Sequence, residues 1–229
     1  MKPTLLKIPF EFGGIEDSIY PVVIEDEASG ARILVDAAYT GFLEKLETAL
    51  REAGVAPESI THLLITHQDH DHMGAAADFK EKYPQVTIVA GADEADYIDG
   101  SQKNLRLAQA EAFQAHLPEA QKSFGEAFIA VLKAVKPVQV DRRVTEGETL
   151  FGWTVLETPG HTPGHISLYD AKMHAVITGD AFALESGVPV IANPQFTLNL
   201  EMAEKSMARL VALEAETYYC YHGGIWSAQ

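Results

Sequence analysis

Residues 67–72 read HQDHDH and place three histidines and two aspartates within six positions. The apolar run THLLIT at 61–66 lies directly before them and predicts a short buried strand, whereas MGAAADFKEKYP directly after them predicts a helix that ends at Pro84. A strand, a charged loop and a helix in this order indicate an α/β fold, in which sites form at strand ends. Buried carboxylates this close repel each other unless a cation lies between them, so the cluster predicts a metal site.

One α/β domain spanning residues 1–229 accounts for the rest of the pattern. Apolar and β-branched runs predict further strands at 18–26, 31–39, 86–91 and from about 144 onward. Helical periodicity predicts helices at 41–54, 101–136 and 198–213. The succession of strands and helices occurs twice, which indicates two similar halves.

The segment 101–136 differs from its surroundings because it is alanine-rich and helical, with a break near Pro118. Its apolar residues, which include Phe124, Phe128 and Val131, fall on one stripe at helical spacing. We interpret the segment as a pair of helices inserted into the domain and packed on it. The alternative is a lid that shapes a substrate pocket.

Three further clusters of metal-ligand residue types each follow an apparent strand. They are TPGHTPGH with His161, TGDA with Asp180, and YHGG with His222. Each residue alone would be an ordinary turn residue, but strand ends of one sheet converge on one edge, so together they indicate a shared site. Imidazole and carboxylate ligands suit zinc, iron or manganese.

These four clusters resemble the signature of the metallo-β-lactamase-fold hydrolases, which is His-x-His-x-Asp-His followed by a distal His, a bridging Asp and a final His. The resemblance runs from about residue 20 to residue 226. It implies a four-layer αββα sandwich with two divalent metal ions, zinc, manganese or iron, at one edge of the sheets. Carried over position by position, it implies the metal ligands His67, Asp69, Asp71, His72, His161, Asp180 and His222.

The resemblance divides these ligands into two sets. The first metal position would be held by His67, Asp69 and His161, and the second metal position by Asp71, His72 and His222. Asp180 would bridge the two ions. Asp71 is the expected catalytic residue, because the family often uses this aspartate to orient the attacking water and accept its proton. His165 is expected to support its loop rather than bind metal.

Asp69 departs from the family, which usually has histidine at this position. The carboxylate adds a negative charge, which should make a bound water less acidic and favour iron(II) or manganese(II) over zinc. The same change could instead weaken the first metal position and leave one ion or none.

The resemblance implies a dinuclear hydrolase that uses a metal-bound hydroxide on a small ester, lactone or thioester. Three better-known branches fit poorly, because Asp180 replaces the cysteine of the β-lactamases, Ala183 replaces the tyrosine of the homoserine-lactone lactonases, and the basic C-terminal region of glyoxalase II is missing. The alternatives are an iron-dependent redox enzyme, of diiron or thiol dioxygenase type, and a catalytically silent metal-binding protein. Phe182 and Phe196 belong either to the core or to an apolar substrate pocket.

Composition narrows the expected partners to a small-molecule substrate. The formal net charge of −16 and the lack of a basic stripe argue against nucleic acid, and no apolar run is long enough for a membrane span. One cysteine permits no internal disulfide, so we expect a cytoplasmic protein. A homodimer is compatible with the sequence.

Overall fold

Two six-stranded β-sheets face each other in the computed structural model, which describes residues 2–12 and 14–227. In chain order the strands are β1 (Thr4–Leu5), β2 (Ile8–Phe12), β3 (Ile15–Ile19), β4 (Val22–Asp26), β5 (Ala31–Val35), β6 (His62–Ile65), β7 (Thr87–Gly91), β8 (Arg142–Val144), β9 (Thr149–Leu150), β10 (Trp153–Glu157), β11 (Ile166–Asp170), β12 (Ala175–Ile177), β13 (Ala183–Glu185), β14 (Val188–Val190), β15 (Thr217–Cys220) and β16 (Gly224–Trp226). The helices are α1 (Leu43–Glu52), α2 (Ala76–Lys82), α3 (Ala95–Ile98), α4 (Leu105–Gln114), α5 (Glu119–Lys133) and α6 (Leu200–Val211), with one 3-10 turn at Pro57–Ser59. The predicted domain also includes Met1, Gly13 and residues 228–229, which lie outside the described residues.

The first sheet has the order β1-β4-β5-β6-β7-β8, and the second has the order β16-β15-β12-β11-β10-β9. Strands β5 to β8 run parallel to one another, and β12 runs parallel to β15. Two small hairpins, β2–β3 and β13–β14, stand apart from these sheets.

Side chains alternate between the two faces of each strand, and the apolar ones form three buried layers. In β6, Leu64 faces the second sheet and packs in the cluster that contains Trp153, whereas Leu63 and Ile65 face away and pack in the cluster that contains Leu46 of α1. On the far side of the second sheet, a third cluster joins strand residues to Leu210 of α6. Helices therefore cover both outer faces, and the order of layers is αββα.

Pro21 divides a segment that the sequence predicts as one strand. Residues 18–26 form the end of β3 and all of β4, which pair with different strands. Proline has no N–H for a sheet ladder, and the carbonyl of Pro21 instead accepts a hydrogen bond from the backbone N–H of Leu6 at 2.8 Å. The prediction of a single strand here is wrong.

The segment 101–136 contains the two helices α4 and α5, and Pro118 lies at the N-terminus of the second. The stripe predicted on this segment is only partly buried, since Phe124 is 64% exposed and Val131 is 45% exposed. Their part of the stripe faces away from the sheets. Phe128 is half-buried and turns toward the site described below.

Within residues 2–12 and 14–227, the helices are too short or too polar for any of them to traverse a lipid bilayer.

Candidate metal centre

Loops at the ends of five strands build one cluster of histidines and aspartates. Residues 67–72 follow β6, Asp180 follows β12, and His222 follows β15. The loop that carries His161 and His165 joins β10 to β11. The cluster also includes Asp36, which directly follows β5. The parallel pairs β5–β6 and β12–β15 bring these loops to one edge of the two sheets.

The structure brings the three residues of the first metal position together. One ligand atom from each of His67, Asp69 and His161 lies within 4.8 Å of the others, and all three residues are buried. Oδ2 of Asp69 lies 2.9 Å from Nε2 of His161 and 3.6 Å from Nε2 of His67.

The second metal position is also assembled. Oδ2 of Asp71 lies 3.2 Å from Nε2 of His222 and 3.8 Å from Nε2 of His72. Asp180 lies between the two positions, because Oδ1 is 3.2 Å from Nε2 of His72 and Oδ2 is 3.4 Å from Nε2 of His161. All seven predicted ligands therefore lie in one cluster.

Four atoms of the seven predicted ligands are buried without a hydrogen-bond partner. They are Nε2 of His67, Nε2 of His72, Oδ1 of Asp180 and Nε2 of His222. Buried polar atoms are almost always satisfied, so four orphaned atoms converging on one place indicate a ligand-binding site. Imidazole nitrogens and a carboxylate oxygen are donors for a divalent transition metal, so the residues present fit a metal ion.

The other ring nitrogens of His67 and His72 have partners that set their tautomers. Nδ1 of His72 donates to Oδ2 of Asp36 at 2.8 Å, so Nε2 is the ring nitrogen that remains to bind a metal. Thr66 donates its backbone N–H to Asp36, and its hydroxyl lies 3.0 Å from Nδ1 of His67. The aspartate thus supports histidines of both positions.

His165 supports its loop and does not have a free nitrogen for a metal. Its Nε2 accepts the backbone N–H of Asp180 at 2.9 Å, and its Nδ1 contacts the hydroxyl of Thr158 at 2.8 Å. Gly179 makes this contact possible, because a Cβ at that position would lie 2.6 Å from Nε2 of His165. The ring therefore fixes the backbone that carries the bridging aspartate.

The carboxylate of Glu94 links the loop at 67–72 to the loop between β10 and β11. Its carboxylate accepts the backbone N–H of Gln68 at 2.9 Å and that of Gly164 at 3.0 Å. The residue is fully buried, and burial raises the pKa of its carboxyl to about 7.

Arg106 of α4 is a charged partner that the sequence reasoning missed. Its NH2 group lies 2.7 Å from Oδ2 of Asp69, and its Nε donates to the same carboxylate at 3.2 Å. The side chain is 2% exposed. Burial alone would raise the pKa of Asp69, but the guanidinium charge and the hydrogen bond from His161 hold it well below the usual range.

Aromatic rings lie close to one another near the motif loop. The rings of Phe128 and Phe196 lie 5.7 Å apart, and the ring of His70 lies 5.7 Å from Phe128 and 5.4 Å from Tyr39. Phe182, in contrast, is fully buried among residues of the third apolar cluster and belongs to the core.

Two of the missed residues left signals in the sequence. Asp36 ends the strand run ARILVD, so the strand-end argument applies to it as it does to the others. For Arg106 the signal was electrostatic, since a third carboxylate in the cluster called for an additional cation. Glu94 left none, because its two partners are backbone groups.

The family match agrees with this geometry. The sequence model described as the metallo-beta-lactamase superfamily matches residues 15–222. The chain belongs to the metallo-beta-lactamase superfamily. This match confirms the family predicted from the sequence motifs, and the observed sheets and helices confirm the αββα fold.

Relatives of this superfamily member are distant in sequence. It is 27% identical over 209 residues to the Bacillus subtilis (strain 168) protein YobT, covering 86% of this chain and 81% of YobT. It is 29% identical over 209 residues to a hydroxyacylglutathione hydrolase of Chelativorans sp. (strain BNC1), covering 89% of this chain but only 62% of that hydrolase.

Solved structures show the same fold. A metallo-beta-lactamase family protein from Thermus thermophilus superposes with a TM-score of 0.75 at 23% identity, covering 98% of this chain and 74% of that protein. Another neighbour, TTHA1623, was solved in a di-iron-bound form and superposes with a TM-score of 0.63 at 24% identity, covering 96% and 93% of the two chains.

Proposed function

We propose that this chain is a metal-dependent hydrolase that acts on a small ester, lactone or thioester. The observation that carries the proposal is the set of four orphaned buried atoms from His67, His72, Asp180 and His222. Membership of a hydrolase superfamily supports it, as does the similarity to a hydroxyacylglutathione hydrolase.

A divalent ion held by these residues would supply Lewis acidity, lowering the pKa of a water and polarising the substrate carbonyl. The protein's own groups would do the rest. The carboxylate of Asp71, 3.2 Å from Nε2 of His222, could orient a water at the second metal position and accept a proton. Tyr221 holds the backbone of Asp71 by donating its hydroxyl to the Asp71 carbonyl at 2.5 Å. The ring pair of Phe128 and Phe196 would contact an apolar part of the substrate and exclude water.

The kind of ion follows from the donor set. Three carboxylates, those of Asp69, Asp71 and Asp180, accompany the imidazoles, and oxygen donors favour manganese(II) or iron(II) relative to zinc. The di-iron form of a structural neighbour supports iron as a candidate. Two ions remain the prediction from sequence, although one ion at the second metal position suffices for the chemistry proposed here.

The test is metal content together with turnover in Asp180→Ala. We expect the wild-type protein, purified without a histidine tag or chelator, to contain a divalent metal and to hydrolyse members of a panel of esters, lactones and thioesters. Asp180→Ala should lose both properties, because it removes the carboxylate between the two positions. Asp93→Ala, at an exposed turn, is the matched control and should keep both.

Normal metal content and turnover in Asp180→Ala would refute the assignment of this site. Oxygen consumption by the iron-loaded protein, with no turnover on the panel, would instead favour the redox alternative.

A further inference from the structure

The guanidinium of Arg106 lies among the ligand atoms of the first metal position. Nε and NH2 both donate to the Asp69 carboxylate, and NH2 lies 3.4 Å from Nε2 of His161. The remaining group, NH1, donates to Oε1 of Gln109 at 2.6 Å and to the carbonyl of Phe196. Every nitrogen of the guanidinium therefore has a protein acceptor, and two of the three serve the carboxylate that would bind the metal.

The motif loop itself holds Arg106 in place. The backbone N–H of Leu105 donates to Oε1 of Gln68 at 2.6 Å, and Nδ2 of Asn104 donates to the carbonyl of Gln68 at 2.8 Å. Asn104 also caps α4 by accepting the backbone N–H of Leu107. Since Gln68 lies between His67 and Asp69, the start of α4 is fixed to the first metal position by hydrogen bonds from the two residues that precede Arg106.

The two metal positions differ in which atoms lack a partner. At the second metal position, Nε2 of His72 and Nε2 of His222 are orphaned, as is Oδ1 of the adjacent Asp180. At the first metal position Nε2 of His67 is also orphaned, but Asp69 is paired with Arg106, and Nε2 of His161 lies 2.9 Å from Oδ2 of Asp69. The carboxylate of Asp69 is therefore already engaged by a cation of the protein itself.

The balance of buried charges also distinguishes the two metal positions. Asp69, Asp71 and Asp180 are three buried carboxylates, and Arg106 neutralises one of them. A single divalent ion neutralises the other two. Even when the buried carboxylate of Asp36 is counted as well, a second divalent ion would leave excess positive charge beside a buried guanidinium, which is costly at low dielectric.

We infer that the guanidinium of Arg106 takes the place of one metal ion, so that this chain binds a single divalent ion at the second metal position. The inference rests on the proposed function, because it presumes that the second metal position binds a metal. Asp69 is then a partner of Arg106 rather than a metal ligand. Helix α4 supplies, through Arg106, the positive charge that a second metal ion would supply in a chain with histidine at position 69.

The test is the number of ions per chain in the wild-type protein and in Arg106→Gln. Both are loaded with excess manganese(II), freed of unbound metal and measured by mass spectrometry. We expect the wild-type protein to retain one ion and Arg106→Gln to retain two, because the substitution frees Asp69 and removes the repelling charge. Arg143→Gln is the matched control, since Arg143 pairs with Asp96 and Asp99 at the surface, and it should retain one ion.

Each outcome is decisive. Two ions in the wild-type protein would overturn the inference but leave the proposed hydrolase standing, whereas no ion would overturn both. One ion in both the wild-type protein and a folded Arg106→Gln variant would show that Arg106 is not what excludes the second ion.

Electron paramagnetic resonance of the manganese-loaded wild-type protein tests the inference without a variant. We expect the hyperfine pattern of an isolated ion. The spectrum of an exchange-coupled pair, which two ions about 3.5–4 Å apart would produce, would overturn the inference.

Discussion

Replacing Asp36 by asparagine should weaken metal binding although Asp36 is not among the predicted ligands. The carboxylate is 1% exposed and accepts three kinds of donor: Nδ1 of His72, the backbone N–H of Thr66 and the hydroxyl of Thr66. An asparagine has one oxygen for these donors. If its oxygen faces Thr66, its NH2 group faces Nδ1 of His72 and shifts the ring proton to Nε2, which removes the lone pair that a metal needs.

The opposite orientation of the asparagine leaves the N–H of Thr66 facing an NH2 group, which costs about 1–3 kcal/mol for an unsatisfied buried donor. Either way the ring of His72 loses a charged partner. Loss of such a partner typically lowers metal affinity by about 10-fold to 100-fold, or ~1.4 to ~2.7 kcal/mol. We expect a loss in this range for the ion at the second metal position.

Competition with a fluorescent chelator measures this affinity directly, with urea unfolding of the metal-free protein as a check on the fold. The control is Asp26→Asn, because Asp26 also accepts backbone hydrogen bonds but lies at the opposite end of the β4–β5 hairpin. An unchanged affinity in a folded Asp36→Asn variant would refute the argument that the aspartate sets the tautomer of His72.

Two further predictions concern protons. Burial opposes protonation of His72, but the carboxylates of Asp180, Asp36 and Asp71 raise its pKa well above the ordinary value. Metal binding at neutral pH should therefore release protons, and calorimetric heats that do not vary with the buffer's ionisation enthalpy would contradict this. For Glu94, the folded state holds the proton more tightly than the unfolded chain, so its contribution to stability falls as pH rises from 4.5 to about 7. Relative to Glu94→Gln, the wild-type protein should lose about 3 kcal/mol of unfolding free energy across this window in metal-free urea titrations, and parallel pH profiles would contradict this. Exposed Glu204→Gln is the control and should track the wild-type profile.

Much of the fold follows from local patterns in the chain. Strand β6 and helix α2 flank the HQDHDH loop as their periodicity predicts, because each buries an apolar face whose spacing is set by its own backbone geometry. The two predictions that fail do so for different reasons. Pro21 breaks a strand that its neighbours favour, and Phe124 is exposed because no other described element covers that face of α5.

The ligand-type residues are also visible in the sequence, since the chemistry of their side chains is the same wherever they lie. The contacts that support these residues cannot be read from the sequence. Arg106 is 37 positions from Asp69, on a helix whose composition resembles any surface helix, and only the folded chain places its charge on that carboxylate.

Phe182 and Phe196 also illustrate the difference between what the sequence predicts and what the tertiary structure decides. The sequence offers core and pocket for both, and the structure places Phe182 in the core and Phe196 beside Arg106, with the guanidinium carbon 5.4 Å from its ring centroid. The sequence by itself determined the family, the layers of the fold and the inventory of metal-binding groups, because motifs and periodicity are local. Only the tertiary structure decided which groups are already neutralised by a protein cation, because charge pairing depends on distances between segments that are far apart along the chain.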